Sequence, residues 1–363
     1  MLAACGAKTG LLVPDIAPDH IDATDTFDHP DIVDIQCAPD IIPLNRRTAD
    51  VMFVIDRSHS MDLDIAGDMV PPSRWNVLRD ALAATLPAID STLSLGALFF
   101  PQVTDGSDIM QSCTTLTTID VRPARNNANT ILNLFNTTQP GGGTPTAQAF
   151  GVVSNYFASQ PASRDPRYIV LATDGGPNCN LTLDPNTCIC TSRDTNNLPN
   201  CSNPDPTQDL PFNCLDDVNT IAAMTSIVAT GIPIFVIGID DPNRPDLTAV
   251  LNHMAQVGGR PNMSGSTSYY SVRQQTDLTS AFQSIERTIA QCTFVTERRP
   301  ASFDTIHLLL TGQELSRDPS HMNGWDVTDS ANDEITLFGA TCDRVAHDPA
   351  PMLTVRLGCD DGG

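Results

Sequence analysis

The chain is 363 residues long, 40% hydrophobic, and carries a formal net charge of -23. That apolar content can bury a core in one large or two modest domains, and the acidity excludes nucleic acid and anionic lipid surfaces as electrostatic partners. No apolar stretch reaches the roughly 18 residues of a membrane helix.

The chain begins Met1-Leu2-Ala3-Ala4-Cys5-Gly6. Leu-Ala-Ala-Cys resembles the lipobox of bacterial lipoproteins. That resemblance implies a lipid on Cys5, with residues 1–5 the remnant of a signal peptide, and Gly6 after the cysteine implies the outer membrane. Residues 6–47 follow as an acidic tether, with Asp19, Asp22, Asp25, Asp28, Asp31 and Asp34 at every third position and prolines between them. Such a composition cannot bury enough apolar surface to fold alone. As polyproline II, about 40 residues would reach roughly 120 Å.

The folded part opens with the apolar run Val51-Met52-Phe53-Val54-Ile55, which fits a central parallel strand buried on both faces. Ser73 is placed to cap a helix on which Trp75, Leu78, Leu82, Leu86 and Ile89 keep helical spacing, with Pro87 expected to fray its last turn. A second strand reads at 94–100, a short one near 116–121 and a helix near 129–135. Thr144 and Pro145 then predict an N-cap and first helical position. Tyr168-Ile169-Val170-Leu171-Ala172 is another buried strand. The pattern resumes as helix 218–228, strand 233–239, helix 247–257, short strand 269–272 and helix 278–289. This is an α/β pattern: a doubly wound, mostly parallel sheet flanked by helices over 48–291, with a Cys-rich insertion at 177–214. From 292 to 363 the period changes to two, and 303–310, 334–337 and 353–357 read as strands of a small β-rich region.

Three segments carry the chemistry. Asp56-Arg57-Ser58-His59-Ser60 ends the first strand, Gly141-Gly142-Gly143-Thr144 opens the central helix, and Asp174 ends the strand at 168–172. In an open α/β sheet, loops at the carboxyl ends of strands build the ligand site. Asp56, Ser58, Ser60, Thr144 and Asp174 resemble, one by one and in order, the metal-ion-dependent adhesion site of von Willebrand factor A (vWA) domains. The resemblance implies that these five hold a divalent cation: Mg²⁺ foremost, with Ca²⁺ or Mn²⁺ able to replace it. It further implies that an open coordination position takes an Asp or Glu carboxylate of a protein partner. His59 departs from the family pattern, which has glycine between the serines, and is a candidate for the ligand rim. Asp240 and Asp241, at the end of another strand, are further rim candidates or caps of the next helix.

The 11 cysteines bear on compartment. With Cys5 as the lipid anchor, ten remain, an exported set that reads as disulfides. Cys188-Ile189-Cys190 is too tight for the usual zinc knuckle. The insertion holds five, Cys179, Cys188, Cys190, Cys201 and Cys214, and requires an outside partner, for which Cys113 is the candidate. Cys292, Cys342 and Cys359 need a fourth, for which Cys37 is the candidate. The insertion leaves from the metal edge and is expected to cap it.

These readings lead to a non-enzymatic, lipid-anchored protein of the bacterial cell envelope that binds a protein ligand through a bridging cation. Its contact with the membrane is through the lipid alone. Two alternatives stand beside it: an envelope scaffold whose metal site is structural or vestigial, and a metal-dependent hydrolase. The hydrolase lacks sequence support, because no second-metal cluster, His-rich ligand set or Gly-x-Ser-x-Gly elbow is present.

Overall fold

A strand buried on both faces must sit between layers of helices. In the computed structural model, β2 (Asp50–Asp56) does so, with every residue after the first buried. The structure describes residues 41–46, 48–102, 112–161, 165–191, 201, 211–239, 244–263, 265–272, 275–300, 302–330, 333–346 and 351–357. Two compact units divide the chain, Met1–Ala38 and Pro39–Gly363; the first lies outside the described residues, with Cys5 and Cys37 in it.

Both neighbours of β2 run parallel to it: β3 (Ser94–Phe100) on one side and β5 (Arg167–Thr173) on the other. Beyond β5, β6 (Ile234–Ile239) and β7 (Tyr270–Val272) continue in parallel. At the opposite edge β4 (Val121–Ala124) pairs antiparallel with β3. An edge is where Pro123 is tolerated, since proline cannot donate to a second ladder. The chain leaves β2 for β3 and later returns to β5 on its other side, so the strand order reverses at β2. Such a reversal opens a crevice at the carboxyl edge.

Alternate residues of β2 face opposite cores. Val51, Phe53 and Ile55 pack with Trp75 and Leu78 of α1 (Arg74–Ile89), Phe135 of α2 (Ala128–Thr137) and Phe282 of α6 (Gln275–Glu286). Met52 and Val54 pack with Phe150 of α3 (Thr146–Ser159), Met224 of α4 (Asp217–Val228) and Leu251 of α5 (Pro245–Val257). The doubly wound α/β class expected from sequence is therefore the fold of this part of the chain.

Local differences have local causes. α1 runs to Ile89 with Pro87 inside it, because Leu86 and Ile89 are buried against the sheet. The short strand expected near 116–121 lies at Val121–Ala124. Asp120 accepts a hydrogen bond from Phe99 N and so ties the preceding turn to β3. Thr144 does not cap α3: the helix begins at Thr146, and Pro145 precedes it with no side-chain cap.

The second sheet is antiparallel and assembled from both ends of the unit. Its order is β10-β9-β13-β1-β8-β12-β11. The ranges are β1 Ile41–Arg46, β8 Thr293–Thr296, β9 Ile306–Leu310, β10 Gln313–Glu314, β11 Gly324–Asp329, β12 Glu334–Phe338 and β13 Leu353–Leu357. The sheet closes on itself: Trp325 N of β11 donates to Ser316 O just after β10, and Asp318 N donates to Trp325 O. Inside lie Ile42, Leu44, Phe294, Leu308, Trp325 and Val355, joined by Val345 of α7 (Gly339–Ala346).

β1 corrects the expected end of the tether. Residues 41–46, assigned to it by composition, form a strand in the middle of this sheet, between β13 and β8. Ile42 and Leu44 point into the core while Ile41, Pro43 and Asn45 are exposed. The alternation was hidden by an apolar residue on the outer face and a proline within the strand.

Four disulfides join the described cysteines: Cys113–Cys179, Cys188–Cys214, Cys190–Cys201 and Cys292–Cys342. The Sγ atoms of Cys188, Cys201 and Cys214 lie within 4.8 Å of one another because two of these bonds sit side by side. Cys359 lies outside the described residues. No described helix is long and apolar enough to cross a membrane.

Candidate metal centre

The carboxyl edge of the first sheet holds the three loops singled out in the sequence. Asp56 is the last residue of β2 and is fully buried. One of its oxygens, Oδ1, accepts from Ser58 N at 2.8 Å. The other, Oδ2, accepts from Thr173 Oγ1 at 2.7 Å. The chain then turns so that Ser58 Oγ and Ser60 Oγ stand 3.0 Å apart, the first buried and the second half-buried. The glycine loop is sewn to this turn, with Gly141 N donating to Arg57 O at 2.7 Å and His59 N to Gly142 O at 3.0 Å. That brings buried Thr144 to the same place. Since Thr144 does not cap α3, no helix N–H claims its hydroxyl.

Asp174 leaves β5 one residue past its end, buried to 6% exposure. Gly175 follows at φ 90°, a conformation that favours glycine and turns the chain away sharply. Ser58, Ser60, Thr144 and Asp174 line one cleft of about 330 Å³ together with His59, Arg74 and Arg244. Its outer wall comes from the cysteine-rich insertion, through Asn178, Thr191, Phe212 and Asn213. Asn178 Oδ1 accepts from Thr144 N at 2.7 Å, and its Nδ2 donates to Thr191 Oγ1 at 2.9 Å. Gly143 lies directly under the Cys113–Cys179 bridge: a Cβ there would stand 2.4 Å from Cys179 Sγ. Glycine is required by that close approach.

Asp56 and Asp174 are both buried, and their charges act on one another. Burial, and after it the charge of Asp174, push the Asp56 carboxyl up to about 7, against the bonds from Ser58 and Thr173 that favour its ionised form. A buried carboxylate with that much cost attached is a site that a cation would relieve. The donors also fit a hard cation: oxygens only, hydroxyl and carboxylate. Two oxygens on adjacent vertices of a Mg²⁺ octahedron, at about 2.1 Å from the ion, stand about 3.0 Å apart. Ser58 Oγ and Ser60 Oγ stand at that separation. Ser58, Ser60, Thr144, Asp56 and Asp174 are the residues that would hold such an ion.

His59 is exposed at the cleft mouth. Asp240 and Asp241, the other rim candidates, lie outside the described residues. Three residues missed in the sequence shape the site. Thr173 orients Asp56, and it directly precedes the recognised Asp174. Asn178 fixes the Thr144 loop from the insertion. Arg74 reaches Asp174 with Nη1 at 2.7 Å, the two side chains being 4% and 8% exposed. Arg74 left one legible signal: a cation in the first turn of a helix opposes the helix dipole.

A doubly wound sheet whose reversal point gathers serine and threonine hydroxyls with two aspartates defines a class of α/β domains with an oxygen-lined cleft at the carboxyl edge of the sheet. Residues 51–177 match the family model of the von Willebrand factor type A domain, and the α/β fold of this part of the chain is vWA-like. No curated protein matches the chain. Among solved structures it is similar to the PilB minor pilin from Streptococcus sanguinis, at 21% identity and a TM-score of 0.43, covering 68% of this chain and 62% of that one. It is also similar to the pilus adhesin SpaC from Lactobacillus rhamnosus GG in an open conformation, at 12% identity and 0.45, covering 89% of this chain and 40% of that one. A third is the manganese-loaded TRAP protein of Plasmodium vivax, at 13% identity and 0.40, covering 79% and 90%. The chain thus spans less than two thirds of the two pilus proteins.

Proposed function

We propose that this protein binds a divalent cation through Asp56, Ser58, Ser60, Thr144 and Asp174, and uses it to recognise an Asp or Glu carboxylate on a protein partner at the bacterial cell envelope. The observation that carries the reading is the convergence of three sequence-distant loops in one open cleft, with two hydroxyls at the spacing of adjacent cation ligands. Mg²⁺ suits the hydroxyl-rich set; Ca²⁺ and Mn²⁺ are the substitutes. With the ion in place, an open position would attract an outside carboxylate, and the cleft is wide enough to admit one. This is recognition by bridging rather than catalysis. Acylation of Cys5 would hold the protein at the outer membrane, with the acidic residues after it as spacer.

Calorimetric titration of Mg²⁺, Ca²⁺ and Mn²⁺ into the wild type, Asp56→Ala and Asp174→Ala tests the reading. Saturable one-site binding lost in both variants is expected. Binding that survives either substitution places the ion elsewhere. A second reading, an envelope scaffold whose metal site is vestigial rather than structural, is favoured by one contact: Arg74 already supplies Asp174 with a positive charge. On that reading no cation raises the melting temperature of the wild type.

A further inference from the structure

Arg74 has no place in the five-residue ligand set, yet its side chain is more deeply buried than that of Arg244, the other arginine of the cleft, at 4% exposure against 18%. Its Nε donates to Asp64 O at 2.9 Å, and its Nη1 donates to Asp174 Oδ2 at 2.7 Å and to Ser60 O at 3.4 Å. Its backbone N donates to Leu63 O at 2.7 Å. The loop that carries the two serines is therefore wrapped around the guanidinium. Nη2 is buried and meets no acceptor among the described residues.

This placement has costs with no local return. A buried ion pair seldom adds stability over apolar packing. An arginine in the first turn of α1 faces the positive end of the helix dipole. An unpartnered buried donor costs more still. The contact with Asp174 is through one nitrogen, so the fork is not exhausted by its carboxylate.

Resting on the cation reading above, we propose that Arg74 is a specificity-determining residue of the centre: a built-in positive charge that weakens the bare cation and strengthens the site for anionic ligands. The charge count gives the reason. Two ionised aspartates cancel a divalent cation; Arg74 leaves one positive charge over. The bare ion is repelled by the guanidinium beside its ligand Asp174, whereas an incoming carboxylate is attracted by both. Cation and carboxylate therefore bind together, each raising the affinity of the other by the same factor. The ligand class selected is a carboxylate, and neutral hydroxyl or amide ligands are disfavoured.

The test is calorimetric titration of Mn²⁺, with and without acetate as the anion probe, into the wild type, Arg74→Met, Arg74→Gln and Arg74→Lys. The neutral variants should bind Mn²⁺ at least about tenfold more tightly, the scale of one unit charge close to a half-buried ion. Acetate should tighten Mn²⁺ binding in the wild type and do so much less in the neutral variants. Arg74→Lys, which keeps the charge, should stay within about threefold of the wild type on the same grounds. Equal or weaker Mn²⁺ binding by folded neutral variants overturns the proposal. A wild type that binds nothing while Arg74→Met binds Mn²⁺ keeps the role of Arg74 and sinks the cation-bridged function. Silence in all four proteins overturns both. If the neutral variants do not fold, nitrogen NMR of the wild-type guanidinium decides. Separate, slowly rotating Nη signals of Arg74 that persist in saturating Mg²⁺ support a fixed charge, and their averaging on Mg²⁺ addition refutes it.

Discussion

Replacing Cys113 and Cys179 together by serine should both destabilise the domain and loosen the proposed cation site. The two cysteines are separated by 66 residues, and the described disulfides of the insertion lie outside that loop. The loop-entropy relation then gives about 4.3 kcal/mol at 25 °C for this cross-link. The same relation gives about 2.8 kcal/mol for Cys190–Cys201, whose separation is 11, so that pair is an internal control. Equilibrium urea unfolding followed by tryptophan fluorescence reads both losses, because Trp75 packs against Phe99 and Phe135 inside the domain. The ranking matters more than either value: the long cross-link should cost more than the short one. Because the bridge lies on Gly143, next to Thr144, its removal should also weaken Mn²⁺ binding severalfold. A loss under about 1 kcal/mol, or a larger loss at the short bridge, refutes the loop-entropy reasoning.

Other consequences follow from single contacts. Gly143→Ala should cost about 1–3 kcal/mol by overpacking against Cys179 Sγ, read by thermal melting; an unchanged melting temperature would mean that the bridge moves freely. A chain starting at residue 48 lacks β1, leaves β13 and β8 without their shared neighbour, and should lose cooperative unfolding of the second sheet in tryptophan fluorescence at Trp325. Asp318 accepts from Ser320, Met322 and Asn323, which hold its carboxyl down at about 2. Because that folded-state value lies below the ordinary one, the stabilisation is complete above about pH 4 and is lost as the pH falls through about 2. A carbon NMR titration of Asp318 with a midpoint above 3.5 would contradict this, that being close to the ordinary carboxylate value.

What was legible in the sequence follows from the range of the forces involved. The meeting of the five candidate positions could be read because strand ends in an open α/β sheet share one edge, so an aspartate after an apolar run already has an address. The alternation of Val51, Phe53 and Ile55 with Met52 and Val54 needs no partner to be seen. Asn178 was not legible, and Arg74 only through its place in the first turn of a helix, because each acts across a long loop on a residue distant in sequence, and neither type is rare on surfaces. β1 was missed for the opposite reason. Its pattern is local, but Pro43 and the exposed Ile41 blur the alternation, and only pairing with β13 and β8 on either side makes it a strand.

That pairing also decides where a load goes. The α/β part of the chain leaves β1 and returns through β8, and these two strands are hydrogen-bonded neighbours, Leu44 opposite Thr296 and Arg46 opposite Phe294. A pull applied upstream of Ile41 meets a ladder on each side of β1 before it reaches the domain. In antiparallel ladders the hydrogen bonds lie across the strands, so a force along β1 must shear them in parallel rather than unzip them one at a time. The second sheet thereby takes up a load applied at Ile41 before the first sheet does. Tension reaches the cleft of the first sheet only after crossing it, and the domain hangs from two adjacent anchor points rather than being stretched between its ends.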